Sequence, residues 1–143
     1  MSRARRSLVS WLPAVAYMAL IWFVSSIDLG RVSVDFLPLR DKAVHFVEYA
    51  VLGFFVAYAV RMQWPDRPGV RRSALAFAIT LAWGILDEFH QAFVPGRSGE
   101  VLDIVADGTG AVAGIVAFLI VARLRERRRG PRKRPRPQGA SSS

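Results

Sequence analysis

Long apolar stretches set between short basic ones constrain this chain more than any other feature. Of its 143 residues, 52% are hydrophobic, yet the formal net charge is +9. A water-soluble domain with such values interleaves the two classes, whereas here they are segregated. That patterning excludes a water-soluble globular fold as the leading reading, and it confines disorder to the polar end of the chain. The absence of Cys excludes disulfide scaffolds, thiolate metal sites and cysteine nucleophiles.

A hydrocarbon core of roughly 30 Å takes about 20 helical residues to cross. The apolar runs predict an all-α membrane protein with four spans, at about 8–26, 41–60, 73–93 and 101–122. The third has only about 14 apolar residues, Ser73 to Leu86, or roughly 20 Å of helix. It therefore crosses only by continuing through Asp87, Glu88 and Gln91. Gly and Pro mark the breaks. The Arg-rich start and the Ser25-Ser26 pair also fit a cleaved leader, but the apolar run is long for one. Residues 1–122 form the membrane domain. Residues 123–143 are Arg- and Pro-rich, cannot bury a core, and read as a disordered basic tail beside anionic headgroups. No aromatics interleave the tail's charges, so nucleic acid is not an expected partner.

Sixteen of the twenty Lys and Arg fall at the N-terminus, in the Arg61–Arg72 loop and from Arg123 onward. Four spans put all three segments on one side, so both termini are expected to be cytoplasmic. Trp11 and Trp64 then lie at the inner interface and Trp22 near the outer one. Nine of the eleven acids, and both histidines, fall on or near the outer half.

Depth separates ordinary loop acids from unusual ones. Counting from the inner helix ends puts Glu48 about 12 Å, and Asp107 roughly 8 Å, below the outer edge. An ionised acid at such depth costs on the order of 2.5–3.5 kcal/mol or more, so it should face the bundle interior. Asp41, His45 and Glu48 stand at i, i+4 and i+7 on span two. Asp87 and Gln91 stand at i, i+4 on span three, flanked by Glu88 and His90. Asp103 and Asp107 do so on span four, whose stripe continues as Gly110, Gly114 and Ala117. The small residues predict close packing of span four along that face. Three polar stripes at one end predict one pocket, read either as a structural network or as a functional site.

The loop Val94-Pro95-Gly96-Arg97-Ser98 favours a type II turn with Ser98 as helix cap. Arg97 stands at the pocket mouth, either neutralising the acids or gripping a phosphate or carboxylate.

The string Asp87-Glu88-Phe89-His90-Gln91-Ala92-Phe93-Val94-Pro95-Gly96-Arg97-Ser98, followed by Asp103 and Gly110, resembles the VanZ-like family. So does Asp41-Lys42-Ala43-Val44-His45-Phe46-Val47-Glu48-Tyr49 with Leu52-Gly53. The similarity runs over 41–114, and the family usually has Asn where this chain has Asp107. The resemblance implies a multi-pass cell-membrane protein of a class linked to low-level teicoplanin resistance, acting on the cell envelope. It supplies no agreed reaction.

Three chemistries stay open. In an enzyme, Glu48 is the candidate acid. Asp87, Glu88 and Asp103 are the other candidate catalytic carboxylates, with Asp87 or Asp103 as base and His45 or His90 as proton shuttle. Asp41, His45, His90, Gln91, Arg97 and Asp107 would line the binding side, and the substrate would be an envelope lipid or lipid-linked cell-wall intermediate. A divalent metal such as Zn²⁺ or Mn²⁺ held by His45, His90 and Asp87 is the second reading. The third is a non-catalytic binder, or a structural subunit for an envelope lipid or a partner membrane protein, with oligomerisation open.

Overall fold

A computed structural model describes residues 3–27, 38–95 and 100–128. These residues form four α-helices: α1 (Arg3–Ser25), α2 (Pro38–Gln63), α3 (Gly69–Gln91) and α4 (Val101–Arg128). The shortest, at 23 residues, is about 34 Å long, sufficient for a bilayer core. All four contain a stretch long and apolar enough to cross a membrane. As expected, α3 runs unbroken through Asp87, Glu88 and Gln91.

The helix ends differ from the sequence expectation at several points. Helix α2 starts at Pro38, since proline lacks an N–H that the first turn would leave unused anyway. Helix α3 starts at Gly69, just after Pro68, and stops at Gln91 rather than 93. Helix α4 runs on to Arg128, so residues 123–128 are helix rather than tail. Their Arg and Leu residues are good helix formers, and basic side chains favour the negative end of the helix dipole. Arg61 at the end of α2 pairs with Glu126 near the end of α4, which ties this extension down. The rest of the expected tail, 129–143, lies outside the described residues.

Contacts at the ends give the topology. Ser25 meets Asp87, Lys42 meets Glu100, and Arg61 meets Glu126. The helices therefore alternate in direction, with α2 parallel to α4 and α1 parallel to α3. The most extensive contact in the bundle is α2 on α4.

Glycine makes that contact possible. A Cβ at Gly110 would overlap the carbonyl oxygen of Phe46, and one at Gly114 that of Ala50. A Cβ at Gly53, on the other helix, would come within 2.7 Å of the Ala111 oxygen. Backbone thus lies on backbone, as at small-residue interfaces between membrane helices. The expected seam is present, with one correction: Ala117 is exposed and the buried line continues to Phe118. Phe118 falls four residues after Gly114, where the helical turn brings the next buried position.

The distribution of polarity is inverted relative to a soluble domain. Leu8, Phe23, Phe89, Phe93 and Val101 are exposed, while Asp87, Asp107 and Thr80 are at most 1% exposed. With no hydrophobic penalty against lipid tails, apolar side chains point outward and the polar ones turn inward. The chain is a multi-pass membrane protein on this evidence of length, composition and polarity.

Candidate functional site

Helical geometry brings His45, Glu88 and Asp107 together. Asp103 and Asp107 lie one turn apart on α4, above the glycine seam that presses this helix onto α2. That close approach brings His45 Nδ1 to 3.0 Å from Asp107 Oδ1. Glu88 enters from α3, its Oε1 3.7 Å from the same nitrogen. Its other oxygen accepts the backbone N–H of Glu100 at 3.0 Å, immediately before the first residue of α4. An unused helix N-terminal donor thereby meets a carboxylate, the arrangement that the helix dipole favours. All three side chains are at least nine-tenths buried.

Space for Asp107 comes from α3. A Cβ at Gly84 would stand 2.7 Å from Asp107 Oδ2 and 3.1 Å from Tyr49 Cε1. Tyr49 lies one turn below His45 on α2, its ring parallel to the imidazole, and it is completely buried. Among the described residues, the Tyr49 hydroxyl, Asp107 Oδ2, Glu88 Oε1 and Asp87 Oδ1 have no hydrogen-bond partner. Buried polar atoms are rarely left so, and here they come from three helices.

A second group joins α1 to α3. Asp87 Oδ2 accepts bonds from Ser25 Oγ and Gln91 Nε2, both at 2.9 Å. His90 stacks on Trp22 with ring centroids 4.0 Å apart, and its Nε2 is 2.9 Å from Ser26 Oγ. The two neighbouring residues Asp87 and Glu88 thus serve different sides of α3.

At the rim, Lys42 Nζ lies 2.5 Å from Asp103 Oδ1 and 2.7 Å from Glu100 Oε2. Asp103 is buried and Glu100 is half-exposed. The Lys42 ammonium, hydrogen-bonded to Glu100, holds that carboxyl below its ordinary range. One lysine therefore spans the starts of α2 and α4.

The predicted single pocket thus resolves into a centre, a flank and a rim. His45, Glu88 and Asp107 form the centre, Asp87, Gln91 and His90 the flank, and Asp103 the rim. The metal trio expected from sequence is not assembled: His90 is held by Trp22 and Ser26, and Asp87 by Ser25 and Gln91. One donor atom each from His45, Glu88 and Asp107 instead lies within 4.8 Å of the other two. His90 stands two residues from Glu88, about 200° around the helix, so the two cannot share a face. Glu48, expected to be the deepest acid, is only half-buried, within electrostatic reach of Tyr17 on α1 and of Tyr49. Asp41 lies in the first turns of α2, but its side chain falls outside the described set. Arg97, with its neighbours 96–99, also lies outside the described residues.

Sequence reasoning passed over Tyr49, Lys42, Ser25, Ser26 and Trp22 as site residues. Tyr49 carried a usable signal, since it stands four residues after His45 on the same stripe. Ser25 and Ser26 carried none, because nothing local says that α1 ends beside α3.

The family model described as VanZ/LLP1 matches residues 2–122. No curated protein and no solved structure matches.

Proposed function

This chain belongs to the VanZ/LLP1 family, and on that premise we propose that its buried acid–histidine centre acts on the polar end of a cell-envelope lipid or lipid-linked cell-wall intermediate. The observation that carries the reading is that, among the described residues, buried polar atoms of Tyr49, Glu88 and Asp107 in the centre have no hydrogen-bond partner. A network selected for stability alone would close those bonds, because each open one costs about 1–3 kcal/mol.

One observation supports an outward-facing position. The centre lies at the opposite end of the bundle from Arg61, Arg72 and the Arg-rich end of α4. Cationic ends stay in the cytoplasm, so the centre belongs to the outer leaflet of the cell membrane. The chemistry it offers is proton transfer. His45 has a ring nitrogen fixed by Asp107, and Glu88 offers a second exchangeable position 3.7 Å away. Tyr49 adds a hydroxyl that can donate to a phosphoryl or carbonyl oxygen. Glu48, half-buried on α2, is the less suited acid, and Glu88 takes that role.

The test is expression of the wild-type chain, H45Q, E88Q and D107N in a bacterial host that lacks it. Teicoplanin susceptibility and the envelope-lipid profile by mass spectrometry are the readouts, at matched membrane abundance. The wild type should shift at least one of the two readouts and the three variants should remove the shift. Variants that retain it at full abundance overturn the assignment. Loss of abundance or of thermal stability in all three marks the network as structural.

A further inference from the structure

We propose that His45, Glu88 and Asp107 hold one divalent cation of the zinc–manganese class. The proposal deepens the reading above and rests on the same centre, with His45 Nδ1 and Glu88 unprotonated as ligands when the ion is bound, in place of the proton-transfer roles given them there. Its geometric basis is the spacing of donors. In a tetrahedral zinc site, with metal–ligand bonds of about 2.0–2.2 Å, neighbouring donor atoms stand roughly 3.3–3.5 Å apart. The His45 Nδ1 to Asp107 Oδ1 and His45 Nδ1 to Glu88 Oε1 separations are 3.0 and 3.7 Å. They bracket that edge length, and one donor atom from each of the three residues lies within 4.8 Å of the other two.

The second basis is the atoms the protein leaves open. The His45–Asp107 bond uses Asp107 Oδ1 alone. Asp107 Oδ2, Glu88 Oε1 and the Tyr49 hydroxyl remain without partners among the described residues, in side chains at least nine-tenths buried. Tyr49 meets Asp107 at Gly84, where the missing Cβ leaves room for both. The third basis is charge. The nearest ammonium, that of Lys42, is engaged at the rim by Asp103 and Glu100. Among the described residues no Lys or Arg reaches the two buried carboxylates, which face each other across one imidazole. That arrangement is costly unless they are paired with that ring in its protonated form, protonated themselves or metal-bound.

The donor set selects the class of ion. One imidazole nitrogen with two carboxylates suits Zn²⁺ or Mn²⁺. Ca²⁺ and Mg²⁺ favour oxygen alone. Three protein ligands leave further coordination positions for water or an oxygen of a substrate, the pattern of catalytic rather than structural sites. Glu88 is itself oriented by the Glu100 N–H, which supplies the outer support that metal ligands usually have.

The experiment uses the full-length chain without an affinity tag, stripped with a chelator and reconstituted in lipid nanodiscs. It is loaded with Zn²⁺ alone, and separately with Mn²⁺ alone, then desalted and its metal content measured by mass spectrometry. The expected result is about one ion per chain for at least one of the two. D107N and E88Q should weaken binding by at least the roughly 10–100-fold that even outer-support losses cost. Circular dichroism and elution position verify folding. A folded wild type that retains neither ion overturns the proposal, as do folded variants that bind like the wild type. Should both variants fail to fold, X-ray absorption on the zinc-loaded wild type decides: one imidazole and oxygen donors are expected, and a shell without imidazole overturns the site. Metal binding without a cellular effect refutes the functional reading alone. A cellular effect without metal binding refutes the ion alone.

Discussion

Gly114→Ala should destabilise the bundle, whereas Gly108→Ala on the same helix should not. The added methyl at Gly114 overlaps the Ala50 oxygen, and it would also stand 2.7 Å from the Ala50 carbonyl carbon and 2.9 Å from the Phe54 nitrogen. These atoms are backbone and cannot rotate away. Ordinary contact needs about 3.4 Å, so the carbonyl carbon alone requires α2 to retreat by roughly 0.7 Å, and the overlapping Ala50 oxygen requires more. A gap of that size forfeits about a quarter to a half of the dispersion attraction between the atoms it separates, along a seam that includes Ile115 and Phe118. Overpacking of this kind costs about 1–3 kcal/mol, against a helix-propensity gain of up to about 1 kcal/mol. At Gly108 the methyl meets only Leu81 Cδ1 at 3.7 Å, so the propensity gain stands alone. The propensity gain is common to both, so the two variants should differ by the overpacking cost alone, about 1–3 kcal/mol, or roughly 3–12 °C in Tm for a chain of this size. Thermal unfolding of the purified proteins in one detergent, followed by circular dichroism, measures the difference. Gly110→Ala should behave like Gly114→Ala. Equal Tm values for the Gly108 and Gly114 variants would refute the close α2–α4 approach, and with it the route by which Asp107 reaches His45.

Lys42→Met should cost about 2–3 kcal/mol, because it leaves the buried Asp103 without its ammonium, and K42M/D103N should recover most of that in the same melt. Ser25→Ala should cost about 1–2 kcal/mol through the lost bond to the Asp87 carboxylate. An unchanged Tm would detach the end of α1 from the flank. The Glu100→Gln effect depends on pH with a definite sign. Glu100 is held low by Lys42, so its pairing contributes above the ordinary carboxylate range and is lost as pH falls through its lowered value. The Tm gap between wild type and E100Q should thus shrink on acidification, and a gap that widens would contradict the pairing.

The spans were legible because a bilayer imposes one length on every crossing helix. The Gly110–Gly114 seam was legible because only small residues let helix backbones touch. Asp107 was legible as inward-facing because an ionisable group at that depth avoids lipid, and His45, Glu88 and Asp103 because they belong to or flank polar stripes at the same end of the bundle. Partner choice was not. Depth along the helix axis is fixed by residue counting, but the side to which a residue turns depends on which neighbour lies there. Glu48 illustrates the limit: its depth by counting exceeds that of Asp107, yet it is half-buried while Asp107 is fully enclosed. Asp87 and Glu88 are adjacent in sequence and serve different groups, a division that only the positions of α1 and α4 decide. Tyr49 was passed over although it stands four residues after His45, because a pattern of hydrophobicity does not register its hydroxyl.

The pairing of the second helix with the fourth also sets an order of events during synthesis. His45 and Asp107 are separated by 62 positions, and the segment between them includes the whole of α3. A ribosome delivers the imidazole long before the carboxylate that fixes it. Until the last segment enters the bilayer, α2 holds an uncovered glycine-bearing face and α3 has no helix end for Glu88 to grip. Everything that distinguishes this centre from three idle polar side chains therefore arrives with the final insertion step, and a chain interrupted after Gln91 would carry its histidine and its glutamate to the membrane for nothing.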